Sequence, residues 1–440
     1  MKIKKMTLLS LTIPILVEQI LRSLMGTVNT FMVSRLSDDA AAAVGVANQV
    51  MSVVNMGSSM LATGAVVLVN QAIGGRRQRD AAIITANSLL ATGVLGLFMS
   101  ALMLLLGERI TLLMGLTGDL VGYAAQYLRI VGASCALQFT SSMLGSHFRC
   151  RGKAQAPMFV IILNNITNLI GSWLVVRGRF FMGGVAGMAT VRLLCEALGL
   201  AVLLILFSHE HWGLRLEDLR PSPAHLKQII RIGFMSGMEG ISYLTAQLLT
   251  IRFIASFPTA SLSAKIYTQS INTYTYMTGH SIGMAAQILC GQLIGAGEID
   301  AADRLMKRSW AYVLGFNLAF SALFYAFCGP LVGLFTQSEE IRAIARTLFL
   351  IDIATCTGRS MNHSFNLGLY SAGYAFWPMI VSIVSIWVVQ VGFGYILTVP
   401  AGLGVVGLWL GQALDEWIRG LSTTWLWLSR KWAKKAPRTA

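Results

Sequence analysis

Residues 71–82, "QAIGGRRQRDAA", return at 292–302 as "QLIGAGEIDAA" with one residue deleted. Outward from this pair the correspondence continues. "RCRGKAQAPM" (149–158) matches "YSAGYAFWPM" (370–379), setting Gly152 against Gly373 and Pro157 against Pro378. "GGVAGMATVRLLCEALG" (183–199) matches "GLGVVGLWLGQALDEWI" (402–418), setting Gly187 against Gly407 and Glu196 against Glu416. Glu18 falls on Glu239, in "GFMSGMEGISYL". Every pair is offset by 220 or 221 residues, half of a 440-residue chain. Self-similarity at a fixed offset means one structural unit used twice.

Composition says what that unit is. Hydrophobic residues make up 55% of the chain and charged ones only 12%, too few charges to cover a soluble surface. Apolar runs of about 20 residues, enough to cross a bilayer, follow one another along the sequence. The fold expected is an all-α polytopic membrane protein, since helices satisfy their own backbone groups in lipid. Twelve transmembrane helices fit, at 7–33, 44–71, 81–106, 120–147, 156–176, 184–207, 228–254, 262–293, 309–334, 341–369, 376–398 and 403–428. The one long polar interruption, "SHEHWGLRLEDLRPSPAHLKQ" (208–228), reads as a linker. The organisation expected is an N-terminal six-helix lobe, 1–207, a cytoplasmic linker, 208–227, and a C-terminal six-helix lobe, 228–440. Six is even, so the lobes share one orientation and are related by a pseudo-two-fold axis along the membrane normal, an arrangement used for alternating access.

The formal net charge of +15 reports topology rather than nucleic acid. Basic residues gather at Lys2, Lys4 and Lys5, then at Arg76, Arg77 and Arg79, and at Arg149, Arg151 and Lys153. They recur at Arg215, Arg220 and Lys227, at Arg304, Lys307 and Arg308, and at Arg430, Lys431, Lys434, Lys435 and Arg438. These are alternate connections plus both ends, so a multi-pass protein of the cell inner membrane with both termini cytoplasmic is expected. The six cysteines show no metal-ligand spacing and read as small apolar residues, and no metal site is expected.

These stretches carry a family resemblance along nearly the whole chain. In the first half it rests on "PILVEQ…GTVNTFMVSRLSDDAAAAVGVANQ", "VNQAIGGRRQRDAA" and "FRCRGKAQAPM", and in the second on "GQLIGAGEIDAADR" and "SAGYAFWPM". The chain resembles the multidrug and toxic compound extrusion (MATE) transporters of bacteria. The resemblance implies two lobes around a central cavity and export of organic compounds driven by inward H+ or Na+. It also marks departures. Family members often carry an aspartate on the first helix where this chain has Asn29, and many carry another where it has Tyr374, whose first-half counterpart is Lys153.

An ionisable group at membrane depth costs roughly 2.5 to 3.5 kcal/mol on insertion scales, so those present are functional candidates. Glu18, Arg22 and Asn29 share a face of the first span, with Glu18 roughly 15 Å deep. Glu18 with Arg22 four residues on is also the spacing of a structural ion pair. Glu239 has no basic residue four away and is the better candidate for coupling. On the tenth span Asp352, Thr355, Arg359, Asn362 and Asn366 form a polar stripe suited to a cavity wall, with His363 adjacent. Gln269, Asn272, Tyr276 and His280 share a face of the eighth span, with Tyr274 nearby, a mixture that suits flat cationic organics. Asn48 and Asn55 on the second span and Asn164 and Asn168 on the fifth either line the cavity or join helices. Arg192 with Glu196, and Asp415 and Glu416 with Arg419, have the spacing of local ion pairs.

The function expected is a secondary antiporter exporting small amphipathic, cationic organic compounds against H+ or Na+. It needs no cofactor beyond the coupling ion, no partner but its substrate and membrane lipid, and it acts as a monomer. Ion coupling and substrate contact are assigned to Glu239, Glu18, Asn29, Asp352 and Arg359. Cavity lining is assigned to Asn48, Asn164, Asn168, Gln269, Asn272, Tyr276, Asn362 and Asn366. The alternative is a lipid or lipid-linked oligosaccharide flippase of a related two-lobed fold. An enzyme is not expected, since there is no HExxH, GxSxG or P-loop and "HEH" at 209–211 is too sparse for a metal site.

Overall fold

The computed structural model describes residues 6–435 apart from 181, 211, 214, 255 and 256. Lys2, Lys4, Lys5, Arg438 and the His211 of the linker therefore lie outside the described residues, as do the side chains of Lys434 and Lys435. No strand occurs among the described residues. The helices are α1 (Leu8–Ser34), α2 (Asp38–Gly74), α3 (Gln78–Leu113), α4 (Asp119–Ala133), α5 (Cys135–Cys150), α6 (Gln155–Val176) and α7 (Gly184–Ser208). After the linker come α8 (Pro223–Ile254), α9 (Thr259–Gly295), α10 (Ile299–Ala326), α11 (Cys328–Gly333) and α12 (Glu339–Met361). The last are α13 (Leu367–Ser371), α14 (Phe376–Ser385), α15 (Gly394–Thr398) and α16 (Gly404–Leu428). Wide π-helical turns at Asn362–Asn366 and Ile386–Phe393 join α12 to α13 and α14 to α15.

With α4–α5, α12–α13 and α14–α15 each counted as one rod and α11 as the end of α10, this is the expected set of twelve spans. Among the described residues seven helices are long and apolar enough to cross a membrane, or eight if the α4–α5 pair, bent by 47°, is one span. The other four rods, α8, α9, α12 and α16, carry the buried charges and amides described below. Four expected boundaries move by five residues or more: the second span starts at Asp38 rather than 44 and the third runs on to Leu113 rather than 106. The ninth span starts at Ile299, ten residues earlier than its apolar run, because "IDAADRLMKR" continues the helix into the polar region. Helix α8 starts at Pro223, inside the segment read as linker, with proline at the first helical position where its missing N–H costs nothing.

The chain forms two compact units. The first comprises 1–6, 13–69 and 77–233, and the second 7–12, 70–76 and 234–440. The α4–α5 bend in the first unit shows how a broken helix is kept satisfied in lipid. Ser100 of α3 donates to the freed Ala133 carbonyl (3.1 Å) and accepts from the Ala136 amide (3.3 Å). Gly96, one turn earlier, lets α5 come that close, since a Cβ there would stand 2.6 Å from the Ala136 Cα. The linker is pinned to this unit. Asp218 takes Arg79 at 2.7 Å, Ser222 donates its amide to Asn87, and Trp212 sits under the Arg151 guanidinium at 4.1 Å. Lys153 bonds Glu210.

In the second unit the repeated "QAIG" (71–74) and "QLIG" (292–295) close a reciprocal crossing. A Cβ on Gly74 would lie 1.9 Å from the Gln292 carbonyl oxygen, and one on Gly295 would lie 2.1 Å from that of Gln71. Only glycine permits backbones to meet at this distance. The side chains around the crossing bond across it: Gln71 Nε2 donates to the Ser371 carbonyl and Gln292 Nε2 to Asn70 Oδ1.

Candidate functional site

The two repeat-related glutamates are held at equivalent places by different chemistry. In the first unit Glu18 is buried and accepts from two guanidiniums, Arg149 at 2.8 Å and Arg22 at 3.0 Å. Arg149 is itself nearly buried and its other terminal nitrogen donates to Ser146. The expected Glu18–Arg22 pair exists, but the strong partner is Arg149, 131 residues away. In the second unit Glu239 accepts from the Tyr370 hydroxyl (2.9 Å), the Ser382 hydroxyl (2.9 Å) and the Asn366 amide (3.1 Å). Arg149 and Tyr370 occupy matching positions of the repeated "RCRG" and "YSAG" stretches, so an arginine in one unit does what a tyrosine does in the other. That offset equals the one between Glu18 and Glu239, a signal present in the sequence.

Glu239 is not the unpaired acid expected. Arg419 of α16 approaches it at 3.9 Å. Absence of a base four residues away said nothing of a helix 180 residues distant in sequence. Arg419, however, is already committed, bonding Asp415 at 2.6 Å and Glu416 at 3.4 Å. Glu416 also takes Arg359 of α12 at 3.1 Å and the Asn362 amide at 3.3 Å, and Asp415 accepts from Ser385. The result is a buried cluster of three carboxylates, Glu239, Asp415 and Glu416, around two guanidiniums, Arg359 and Arg419. The π-turn at Asn362–Asn366 sends the Asn362 amide to Glu416 of α16 and the Asn366 amide to Glu239 of α8.

The polar stripe on α12 was expected as an open cavity wall. Asp352, Arg359, Asn362 and Asn366 are instead buried within the second unit, Asp352 bonded to Asn272 of α9 and the others to the acids above. Of the α9 face, Gln269 and Tyr276 are exposed, and Tyr276 stacks on His280 with its ring edge-on to His363. Asn164 and Asn168 are buried in α6, each with an Oδ1 lacking a hydrogen-bond partner. Asn164, with Glu18, Arg149, Gln138 and Glu196, lines a small cavity of about 50 Å³. Asn29 is partly exposed and brought together with none of these side chains. Asn48 is not free: its Oδ1 takes the Tyr127 hydroxyl (3.3 Å) and Arg192 (3.1 Å). The expected Arg192–Glu196 pair is absent among the described residues, because the Arg192 guanidinium turns to α2 and α4 instead.

A polytopic helical chain in two units, with charges and amides buried among its spans, is of the secondary-transporter class. The MatE family model matches it twice, at residues 14–174 and 236–396, an offset of 222 residues that repeats the internal duplication. The chain belongs to the multidrug and toxic compound extrusion family of membrane transporters. It is 32% identical over 436 residues to the uncharacterized transporter YisQ of Bacillus subtilis, covering 98% of this chain and 96% of that one. It is 24% identical to the probable multidrug resistance protein NorM of Thermotoga maritima, covering 98% and 94%. The fold is shared, at a TM-score of 0.88 and 20% identity, with an outward-facing multidrug resistance MATE transporter, over 96% of this chain and 95% of that one. The same score, identity and coverage hold for a transporter of Pyrococcus furiosus whose binding pocket is described as of reverse polarity.

Proposed function

We propose that this protein is a secondary antiporter of the inner membrane that exports small amphipathic organic molecules, some with a cationic centre, in exchange for H+ or Na+. Glu239 is its coupling carboxylate. The observation that carries this is the charge count of the second unit's cluster. Three carboxylates against two guanidiniums, with buried Asp352 a fourth acid two turns from Arg359, are neutral only with further positive charge, and a buried uncompensated charge is costly. A proton or a sodium ion supplies it. Glu239 is the member to receive the ion, because its close partners are neutral donors and its side chain, 16% exposed, is the most accessible of the three acids. Glu18, facing two guanidiniums, is already compensated and serves structure. Coupling thus falls to Glu239, where Asn29 cannot titrate. The exposed Tyr274 and Tyr276 of α9 are suited to the flat or cationic part of a cargo.

One charge moving down 100 mV supplies about 2.3 kcal/mol, which sustains a concentration ratio of roughly fifty. The test is dye flux in proteoliposomes under separately imposed pH, Na+ and voltage gradients. Glu239→Gln is expected to lose at least about tenfold of gradient-driven flux, while Glu18→Gln keeps its gradient dependence. If Glu239→Gln moves dye as fast as wild type under every gradient, Glu239 is not the coupling group.

A further inference from the structure

Among the described residues the first unit presents a guanidinium with no carboxylate bonded to it. Arg192 lies about 13 Å along α7, at nine residues of 1.5 Å each, well inside the membrane. Its Nη1 donates to the Tyr127 hydroxyl at 2.9 Å and to Asn48 Oδ1 at 3.1 Å, and both of these are neutral. Among the described residues no carboxylate comes within salt-bridge distance of it. The nearest acid in sequence, Glu196, is one turn on and lines the small cavity beside Glu18 instead. Glu18 is taken by Arg149 and Arg22. Asn29 of α1 is uncharged. A guanidinium placed thus at membrane depth has neutral groups where a contacting carboxylate normally offsets desolvation, with Glu196 acting on it only from a turn away.

The position is also reachable. Leu194, Leu198 and Ile205, 40 to 58% exposed, mark the lipid side of α7, and Arg192 points to the opposite side of that helix. Its neighbour Asn48 begins a polar face on α2 formed by Asn48, Ser52, Asn55 and Ser59, at spacings of four, three and four. Ser52 and Ser59 are exposed and both asparagines partly so. The serine hydroxyls are satisfied by their own helix, but the Asn55 amide requires water, so this face is wetted rather than covered by hydrocarbon. Arg192 stands at one end of it. Among the described residues the guanidinium is engaged through Nη1 alone, and its remaining donors keep the planar fork geometry that fits an oxyanion.

We propose that Arg192, with Asn48 beside it, is a recognition site for an anionic group on the exported molecule, a carboxylate or a sulfonate. The cargo is then an amphipathic acid or a zwitterion rather than a simple cation. This rests on the transporter function above and adds the charge of the substrate. The two units divide the work by sign: the second has a negative excess that takes the coupling cation, and the first a positive one that takes the acid.

The test is equilibrium binding, without any gradient, by full-length protein in a non-ionic maltoside. The probes are carboxyfluorescein and sulforhodamine B as organic acids and ethidium as a cation. Wild type is expected to bind at least one acidic dye. Arg192→Gln should weaken that binding by about tenfold or more and Arg192→Lys by several-fold, with ethidium unchanged. Should Arg192→Gln not purify as a monodisperse protein, Arg192→Lys carries the test, because it keeps the charge and loses the fork. Acidic dyes that ignore wild type, or bind both variants as tightly as wild type, overturn the proposal. So does displacement of the bound dye by phosphatidylglycerol at equal concentration, which would assign the site to a lipid headgroup. Failure of the antiport proposal shows differently, as absent gradient dependence in vesicles whatever binds in detergent.

Discussion

Glu18 and Glu239 show how one residue type at repeat-equivalent positions meets two different environments. The difference lies in the partner 131 residues further on in each copy, Arg149 for Glu18 and Tyr370 for Glu239. An arginine sets a positive charge against its carboxylate, whereas a tyrosine only donates a hydrogen bond; in the proposed antiport the ion balances the charge that remains. Arg149→Met should therefore act on stability. It leaves Glu18 with the half-exposed Arg22 alone, and loss of one member of a buried pair costs about 3 kcal/mol or more. Thermal unfolding in detergent should show a clear drop for Arg149→Met, and Glu18→Gln in the same chain should recover most of it. A double variant as unstable as the single one would mean that Arg149 supports the fold through packing, not through Glu18. The sequence made both glutamates visible, because an acid in an apolar run is conspicuous. It hid Arg149, which sits among the basic residues of a loop and so reads as a topology signal.

Among elements, the informative case is the α2–α9 crossing within the second unit. "QAIGG" and "QLIGAG" read as helix ends before turns, and they are, since both helices end at these glycines. Their further role needs the neighbouring helix: Gly74 faces the Gln292 carbonyl and Gly295 the Gln71 carbonyl, with no room for a methyl group. Gly295→Ala should force the helices apart and cost on the order of 1–3 kcal/mol, the usual range for overpacking. Alanine at Gly93 of α3, which has open space around the position of a Cβ, should be neutral by the same measure. Equal melting temperatures for the two variants would show that the crossing yields without cost. At this scale the sequence is legible where periodicity carries the signal, as in the twelve spans. It is less so where a polar face shortens the apolar run, as at α10, whose first ten residues were missed.

For the molecule as a whole, the basic residues in alternate connections set an expected topology that a reporter can check. A fluorescent protein fused after Ala440 should fluoresce, as it folds only in the cytoplasm. Alkaline phosphatase inserted in the 177–183 connection should be active, and in the 209–222 linker inactive. A phosphatase active in the linker would reverse the assigned orientation. The segment read as a linker is also held by specific bonds: Asp218, Trp212 and Ser222 tie it to the first unit through Arg79, Arg151 and Asn87.

By itself the sequence determined the helical class, the span count, the duplication and the family. Hydropathy and repeats are local or periodic properties, and lipid leaves a chain of this composition no fold but helices. Only the tertiary structure decided which charges are compensated. Arg419 reaches Glu239 and Arg149 reaches Glu18 from helices far away in sequence, while Arg192 turns from its neighbour Glu196 to Asn48 and Tyr127. Charge balance at membrane depth depends on distances of 3 to 4 Å between helices, and residue spacing along one helix does not contain them.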